Sequence, residues 1–412
     1  MNVRFVKSQH QNIDAQEIEI VERKGWGHPD TLADGAANAV SYAYCRYCLK
    51  HFGHILHHNV DKTSLLGGES VAGPGFGNLV KPIRVMINGR MSTAFGNEEI
   101  PIFEIASNAV KKYLTKVIPS LNPETDMQIY DFLNRAGGPP HKGRNWFRPR
   151  SEVDLPEIQD PIANDTVCSI GFWPLSKLEH LVLNVELLFY HNLFDRKFKY
   201  IGSDIKTMAV RMGKNVFLTL CIPFIGEKTP SLEFYREKLN DIRQMILTYV
   251  GKQLGAEYRV KLDLNTRDNE PRNDHFILAK GTALESGDEG IVGRGNNSSG
   301  FIPSLRPYSM EAPAGKNPVY FAGKVYDYYT KRIAKAISEA LSCPTIVYII
   351  THSGTSLLDP SHIIVELEKQ DSKSIKVSRE IINHEFTTIY NCADLILEEQ
   401  RKLFGFLDKE EP

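Results

Sequence analysis

The pattern of apolar and polar positions along the 412-residue chain predicts helices separated by pairs of strands. Apolar residues at helical spacing predict six helices, at about 30–51, 103–114, 176–191, 229–249, 318–341 and 375–403. Short apolar or alternating runs predict strands, at about 83–93, 205–211, 215–222, 257–264, 275–281, 344–350 and 362–368, with another directly after Thr166. Strands in adjacent pairs favour an α+β fold with mostly antiparallel sheets and helices on one face.

Several element boundaries carry their own sequence signals. Pro29 suits the first turn of a helix, and Gly53 suits the end of the same helix. Ser176 followed by Glu179 is a capping box that predicts a helix start. The segment 136–163 is rich in Gly, Pro and Arg and predicts a long loop.

The composition is that of a globular protein, with 42% hydrophobic and 24% charged residues. The length predicts two or three domains, because one core rarely grows so large. The net charge of -1 argues against a nucleic-acid partner, so any anion site must be built locally. No apolar run approaches the roughly 20 residues of a membrane span, and the first residues lack the apolar core of a signal peptide.

The six cysteines suit a reducing compartment, so we expect a cytoplasmic protein without a membrane partner. Cys45 and Cys48 form a CxxC pair, but they fall on a predicted helix and no second pair follows. A metal or redox role is therefore not expected there.

The stretch at 287–318, GDEGIVGRGNNSSGFIPSLRPYSMEAPAGKNP, combines glycines with fixed charges. Its glycines leave backbone amides bare, and Arg294, Arg306 and Lys316 add cations, a combination that suits a polyphosphate. Asp288 and Glu289 suit a divalent metal or a sugar hydroxyl. The alternative is a solvated Gly-rich loop. A Walker A motif is excluded, because Lys316 lacks the upstream Gly and the following Ser or Thr.

A second candidate is ERKGWGHPD at 22–30. His28 stands at a predicted helix N-terminus, where the helix dipole favours anions and a proton donor can meet one. Asp30 follows in the first turn and suits Mg²⁺, which binds through one or two protein oxygens. The alternative is a simple capped helix start with a surface histidine.

Three weaker signals lie elsewhere. Asn164 and Asp165 precede an apolar strand, where such residues commonly make only a turn. Lys206 begins a strand, where a lone lysine is most often solvated. A group of four histidines with one aspartate fits no standard metal spacing, so we expect exposed strand histidines; its members are His51, His54, His57, His58 and Asp61.

Six motifs occur in a fixed order, namely GWGHPD at 25–30, HHNVDK at 57–62, ANDT at 163–166, SDIK at 203–206, GDEGIVGRGN at 287–296 and MEAPAGKNP at 310–318. This series closely resembles the archaeal-type methionine adenosyltransferases, over about residues 17–368. Members of that family join ATP to methionine by attack of the thioether sulfur on C5′ of the ribose. They then hydrolyse the expelled triphosphate.

The resemblance implies roles for particular residues. His28 would face the leaving oxygen, while Lys206, Arg294 and Lys316 would bind the phosphate chain. Asp30 resembles the magnesium ligand of the family. The remaining substrate-binding residues implied by the motifs are Asp165, Asp288, Asn164 and Lys62.

The resemblance also implies ATP and methionine as substrates, two Mg²⁺ ions, K⁺ as a further cofactor, and a homodimer with active sites at the subunit interface. It implies three related α+β domains. We place these at 1–135 with GHPD, at 136–270 with ANDT and Lys206, and at 271–412 with Arg294 and Lys316; segments of the three can interleave.

The chain departs from the family pattern at several places. Trp26 replaces a usual aliphatic residue, and Tyr320-Phe321 replaces a small polar pair. The segment 135–155 is longer and more basic than usual, with Arg144, Arg148 and Arg150. The sequence after residue 350 also diverges. These departures leave open a different thioether amino acid or nucleotide, or a catalytically silent nucleotide-binding homologue.

Overall fold

A computed structural model describes residues 1–8, 12–135, 147–155, 158 and 160–408 of the chain. The α-helices in these ranges are α1 (Pro29–Phe52), α2 (Ile102–Val117), α3 (Lys177–Val185), α4 (Leu232–Leu254), α5 (Ala322–Leu341), α6 (Ser372–Phe386) and α7 (Cys392–Phe404). The strands are β1 (Val3–Lys7), β2 (Ile18–Lys24), β3 (His58–Asn59), β4 (Ser64–Leu66), β5 (Glu69–Gly73), β6 (Phe76–Lys81), β7 (Ile83–Met91), β8 (Ala94–Phe95), β9 (Glu98–Glu99), β10 (Met127–Asn134), β11 (Val167–Trp173), β12 (Tyr190–Asn192), β13 (Asp195–Arg196), β14 (Lys206–Met212), β15 (Asn215–Cys221), β16 (Phe224–Ile225), β17 (Arg259–Leu264), β18 (Ile277–Leu278), β19 (Gly290–Ile291), β20 (Ile302–Pro303), β21 (Thr345–Thr351) and β22 (His362–Leu367).

Three larger sheets organise the fold, and each packs against its own pair of helices. The first has the order β10-β7-β4-β19 with β3 beside β7, and packs on α1 and α2. The second has the order β17-β15-β14-β2-β20 and packs on α3 and α4. The third has the order β1-β22-β21-β11 and packs on α5 and α6. The predicted α+β fold, with three related units of mostly antiparallel sheet, is confirmed.

The three units share a strand pattern as well as a layer pattern. Each larger sheet has one parallel pair at an edge: β10 with β7, β17 with β15, and β1 with β22. In the first two units a helix connects the parallel strands, as a parallel crossover requires. In the third unit α6 follows β22, but β1 from the start of the chain fills the edge position.

Strands are also exchanged between the units. β2 precedes α1 of the first unit but pairs with β14 of the second. β11 precedes α3 of the second unit but pairs with β21 of the third, and β19 precedes α5 of the third but pairs with β4 of the first. A division at residues 135 and 270 therefore stays a prediction, since every larger sheet draws strands from more than one of those segments.

Most predicted elements are observed within a few residues, and the differences have local causes. The helix predicted at 176–191 begins with the predicted capping box but leaves the α-helical conformation after Val185, where buried Glu186 begins a 3₁₀ turn. The helix predicted at 229–249 begins at Leu232, because the Ser231 side chain accepts a hydrogen bond from the amide of Phe234.

Three predicted elements were wrong in extent. The helix predicted at 318–341 begins at Ala322, and the one predicted at 375–403 is two helices separated by a 3₁₀ turn at Ile389–Asn391. The strand predicted at 275–281 is confined to β18. The predicted loop at 136–163 lies partly outside the described residues and contains a 3₁₀ turn at Glu152–Asp154. Within the described ranges, every helix is too short or too polar to span a lipid bilayer.

Candidate active site

The GHPD turn joins β2 to α1 and brings two sequence motifs together. The amide of Gly25 donates to the carbonyl of Ile205 at 2.7 Å, and that of Gly27 donates to the carbonyl of Ser203 at 2.8 Å. A Cβ atom at Gly27 would collide with Ser203, so this close approach requires glycine. The GWGHPD and SDIK motifs are therefore two sides of one backbone contact.

His28 is the N-cap residue of α1. Its Nδ1 accepts the amide hydrogen of Asp30 at 3.2 Å, and Pro29 occupies the first helical position. Burial, reinforced by the nearby Lys24 ammonium, lowers the pKa of His28 to about 4. The imidazole is thus neutral at pH 7. Since Nδ1 is an acceptor, the proton sits on Nε2, which is a hydrogen-bond donor.

Asp30 connects α1 to the Gly-rich stretch. Its Oδ1 accepts the amide hydrogen of Ile291 at 3.1 Å, and its Oδ2 binds the ammonium of Lys24 at 2.7 Å. One turn later, Oδ1 of Asp34 accepts the amide hydrogen of Gly293 at 2.8 Å. The expectation of bare amides was wrong at these positions, because the carboxylates of α1 already bind them.

Lys206 and Asp288 complete this group of charges. Lys206 Nζ lies 2.9 Å from Oε1 of Glu22. Lys24, Asp30, Lys206 and Asp288 all act on the charge of His28. Lys24 also donates to the backbone carbonyl of Arg294 at 2.5 Å. We call this set the His28 cluster; it comprises His28, Lys24, Asp30, Lys206, Asp288 and Arg294.

Arg294 follows β19 and is exposed. In the part of the chain that the structure describes, its guanidinium has no ion-pair partner. A cavity of about 350 Å³ lies beside it, between α1 and the segment 293–314. The walls of the cavity include Trp26, Asp34, Phe194 and Glu311. The Trp26 ring packs edge-on against that of Phe194 at a centroid distance of 5.2 Å.

The other predicted residues form a second group around Lys316. Its buried ammonium pairs with Glu311 and lies 4.0 Å from Oδ2 of Asp61. Burial lowers the pKa of Lys316 to about 8, against the attraction of Asp61 and Asp165. Lys62 pairs with the same Asp61 at 3.0 Å.

Asn164 links to this group through the start of α5. Its Oδ1 accepts the amide hydrogen of Ala322 at 3.1 Å. The adjacent Phe321 places its ring 4.5 Å from Nζ of Lys316, so this departure from the family pattern supports a cation–π contact. We call the set the Lys316 cluster; it comprises Lys316, Lys62, Asp61, Asp165, Asn164 and Glu311.

The nine residues predicted from the motifs thus fall into two clusters. His28, Asp30, Lys206, Asp288 and Arg294 belong to the His28 cluster. The other four belong to the Lys316 cluster. Among the interactions of the described residues cited above, the two clusters share no member.

Three other arginines singled out in the sequence pair with carboxylates, namely Arg306, Arg148 and Arg150. Arg306 binds both oxygens of Glu179, at 2.6 and 2.8 Å, so it is not available as a phosphate ligand. Arg148 pairs with Glu99, and Arg150 lies 3.2 Å from Asp154. Arg144 lies outside the described residues.

The expectation of exposed strand histidines was also wrong. His51 is exposed but lies in α1, and His54 is half-buried outside any strand. His57 is 7% exposed and His58 is fully buried. His58 lies on β3, bonded to Ser41 at 2.8 Å, and burial lowers its pKa to about 3. It is a core histidine. Cys45 and Cys48 are likewise buried free thiols in the core beside α1.

Sequence reasoning missed Lys24, Asp34 and Glu311. Lys24 and Glu311 stand inside quoted motifs, and Asp34 lies one helical turn after Asp30. That turn spacing is a usable signal, since residues four apart share one face of a helix. The contacts of Lys24 and Glu311 were visible only in the structure. Lys24 reaches the distant Arg294, and Glu311 reaches Lys316 across a loop.

The side chains near Asp30 determine what kind of metal site is possible there. Among the described residues, no group of three or more His, Cys, Asp or Glu side chains is arranged to hold an ion. Mg²⁺ commonly takes only one or two protein carboxylates, with phosphates and waters completing its shell. Asp30, an aspartate beside a candidate phosphate site, fits that kind of site.

The chain matches the family of S-adenosylmethionine synthetase (AdoMet synthetase) over residues 1–400. It is 35% identical over 412 residues to an S-adenosylmethionine synthase of Sulfolobus acidocaldarius, covering 98% of this chain and 99% of that protein. It is 34% identical over 407 residues to the S-adenosylmethionine synthase of Hyperthermus butylicus, covering 96% and 97%. An uncharacterized protein of Streptococcus pyogenes serotype M3 is 36% identical over 393 residues, covering 93% of each chain.

Among solved structures, an unusual S-adenosylmethionine synthetase from Campylobacter jejuni matches the fold with a TM-score of 0.54. The match covers 89% of this chain and 86% of that chain at 15% identity. The chain belongs to the S-adenosylmethionine synthetase family, whose members are methionine adenosyltransferase enzymes.

Proposed function

We propose that the protein converts ATP, L-methionine and water to S-adenosylmethionine, phosphate and diphosphate. The observation that carries the proposal is the His28 cluster. Motifs more than 250 positions apart meet beside one backbone turn, since Lys206 lies opposite Lys24 and Asp30 binds the amide of Ile291. Family membership over nearly the whole chain supports the same reaction.

The His28 cluster suits the breaking of the C5′–O bond. The methionine sulfur attacks C5′, and the electron pair of the broken bond leaves with the triphosphate oxygen. The neutral Nε2–H of His28 can donate to that oxygen, while Lys206 and Arg294 bind the phosphate chain. A preorganised donor of this kind contributes about 2.7–4 kcal/mol to the transition state.

The sulfur needs no general base, because a thioether has no proton to lose. Orientation of the sulfur in line with C5′ is then the main further requirement. Asp165 and Asn164 in the Lys316 cluster, with Asp288 in the His28 cluster, are the proposed contacts to methionine and the adenosine moiety, together with Lys62. An aspartate suits the methionine ammonium.

Mg²⁺ would be held by Asp30 and would supply charge neutralisation to the phosphates when bound. A second Mg²⁺ and a K⁺ ion are part of the proposal, without assigned protein ligands. A cytoplasmic location is also proposed, because ATP and methionine are cytosolic and the six cysteines are free thiols.

We further propose a homodimer that shares its active sites. The face of the first sheet away from α1 and α2 carries a row of paired residues, Ile291, Ser64, Met86 and Tyr130, across β19, β4, β7 and β10. Ile291 is 47% and Tyr130 43% exposed. Neighbouring Phe132 on β10 is 50% exposed. Exposed apolar side chains among polar ones such as Asn88 and Arg84 on the same face suit a protein partner.

The position of this face connects it to the chemistry. Ile291 is only three residues from Arg294, and its amide is bound to Asp30. A second copy packed on the face would lie next to the His28 cluster. Within one chain, Arg294 of the His28 cluster and Glu311 of the Lys316 cluster line the same cavity, so a site built from a single chain is the alternative.

Mixing two inactive variants tests the shared site. His28→Asn and Lys316→Met would be unfolded together and refolded, or coexpressed. If each site takes one cluster from each subunit, mixed dimers have one site with both defects and one intact site. Statistical pairing then restores about one quarter of the wild-type activity. If each site belongs to one chain, the mixture stays as inactive as its components.

The reaction itself is tested by incubation of the purified protein with ATP, methionine, Mg²⁺ and K⁺. Mass spectrometry should detect S-adenosylmethionine, and phosphate and diphosphate should form in equal amounts. Phosphate release without a sulfonium product would contradict the proposed amino acid. ATP binding without turnover would indicate a catalytically silent homologue.

A second candidate keeps the chemistry but changes a substrate to another thioether amino acid or another nucleotide. Trp26 favours it, because this large ring lies in the wall of the cavity beside Arg294, where the family pattern has an aliphatic residue. The 36% identity to an uncharacterized streptococcal protein is as high as that to the named synthases. A panel of thioether amino acids and nucleotides in the same assay decides between the candidates.

A further inference from the structure

The end of β2 places two lysines side by side at the candidate site. Lys24 and Lys206 are directly opposite each other in the antiparallel pair of β2 and β14, so both side chains leave the same face. Like charges in this position destabilise a sheet. Their presence is explained if the pair binds an anion.

Each of the two lysines is held by a carboxylate. Lys206 pairs with Glu22 at 2.9 Å and is 43% exposed. Lys24 pairs with Asp30 at 2.7 Å and is only 13% exposed. Lys24 is therefore the better sheltered of the two, and its partner is the proposed metal ligand.

The contacts of Asp30 make Lys24 a competitor of a metal ion. Oδ1 of Asp30 is bound to the amide of Ile291, which leaves Oδ2 as the oxygen that a metal would take. That oxygen is occupied by the Lys24 ammonium. A cation and an ammonium cannot share it without strong repulsion. A metal that binds Asp30 must displace Lys24.

Lys24 keeps a second contact when it leaves Asp30. Its ammonium also donates to the backbone carbonyl of Arg294, a residue proposed to bind the phosphate chain. Lys206, another proposed phosphate ligand, lies directly opposite Lys24 on the neighbouring strand. An ammonium released from Asp30 therefore stays close to the backbone of one proposed phosphate ligand and to the strand position of another.

We propose that Lys24 is the resident counter-ion of Asp30 in the nucleotide-free protein, and that it moves onto the phosphate chain when the metal–nucleotide complex binds. Lys24 then makes metal binding depend on nucleotide, and it is a further substrate-binding residue of the reaction. This inference rests on the proposed function for the identity of the nucleotide.

Two binding measurements on the full-length Lys24→Met variant test the exchange. Mn²⁺ alone is titrated and followed by its electron paramagnetic resonance signal. Loss of the competing ammonium should tighten Mn²⁺ binding at least about tenfold, the scale of one charge-assisted hydrogen bond. The non-hydrolysable analogue AMP-PNP with Mg²⁺ is titrated by calorimetry, and its affinity should fall at least about tenfold for the same reason.

The exchange is recognised by affinity changes of opposite sign in Lys24→Met, with tighter binding of Mn²⁺ and weaker binding of AMP-PNP. A lysine that only stabilised the local fold would leave both affinities unchanged or weaken both when removed. The double variant Lys24→Met/Asp30→Asn should lose the gain in Mn²⁺ affinity. Lys111→Met is a matched control, because Lys111 pairs with Glu124 at 2.8 Å on the surface and should change neither affinity.

Unchanged or weaker Mn²⁺ binding in Lys24→Met would overturn the inference, as would an unchanged AMP-PNP affinity. Thermal melts check folding, and Lys24→Gln replaces the variant if the methionine form unfolds. Failure of the proposed reaction is a separate result. In that case wild-type protein would form no S-adenosylmethionine while the two affinities still moved in opposite directions.

Discussion

The carboxylate of Asp34 accepts the amide hydrogen of Gly293 at 2.8 Å and thereby holds the backbone next to Arg294. It also lies against Gly295, where any Cβ atom would collide with it. The residues on both sides of Arg294 are thus fixed to the second turn of α1. This contact explains why two glycines flank the arginine, since a side chain at Gly295 would force the loop away from the helix.

Asp34 should make stability depend on pH. Burial raises its pKa to about 7, from 3.8 in an ordinary setting. Between these values the folded protein holds the proton more tightly, so stability falls as pH rises, by at most about 1.4 kcal/mol per pH unit. Asp34→Asn should remove this component. Urea unfolding from pH 4 to pH 8 measures it, with Asp241→Asn on the surface as the control; parallel curves for wild type and Asp34→Asn would contradict the assignment.

Arg294→Ala should lower turnover by about two orders of magnitude or more, because it removes a charge from the developing triphosphate. The exposed side chain makes few contacts, so the melting temperature should stay within a few degrees. Arg236→Ala provides the comparison, because Arg236 pairs with Glu270 on the surface and should leave turnover unchanged. An Arg294→Ala enzyme with normal turnover would show that the triphosphate lies elsewhere.

His28→Asn distinguishes the role of His28 as a proton donor from its role as the N-cap of α1. Asparagine is a good N-cap residue, so α1 should persist while the Nε2–H is lost. Turnover should fall about 10² to 10³-fold.

In the wild type, the low pKa of His28 keeps the imidazole neutral down to about pH 4. The wild-type rate should therefore show no inflection near pH 6.5 from His28, so the profiles of wild type and His28→Asn should have the same shape there. Rate profiles of the two enzymes from pH 5 to pH 8 measure this, and such an inflection would refute the neutral-donor assignment.

Glu311→Gln should release Lys316 for a phosphate ligand. The ammonium is paired with Glu311 in the structure, and a neutral glutamine competes less well for it. Calorimetry with tripolyphosphate should show binding several-fold tighter than in wild type. The double variant Glu311→Gln/Lys316→Met should show no gain; if it does, the effect arises from another cation.

The sequence predicted the elements with clear end signals more accurately than the sheets they form. The Ser176 capping box and the Pro29 start are local, so both were found at the correct residues. β1, β2 and β10 were not predicted at all. The exchange of β2, β11 and β19 between units is a matter of long-range pairing, which periodicity in one segment does not encode.

The site shows the same division between local and long-range information. The resemblance of the six motifs to the family implied nine residues, which the structure gathers in two clusters. It did not show that Lys316 pairs with Glu311 and Asp61, or that Asp30 pairs with Lys24, because these contacts depend on how the fold brings the side chains together. Arg306 was misjudged because its partner, Glu179, lies on α3, 127 residues earlier in the chain.

The position of β1 has a consequence for how the protein is made. β1 ends at Lys7, and the strand beside it, β22, begins at His362. At a synthesis rate of about 5–20 residues per second, the first strand waits roughly 20 to 70 s for its neighbour to be synthesised. During that time it is an unpaired edge that other chains can join. In a newly made chain, residues 3–7 therefore need protection until residues 362–367 have been synthesised.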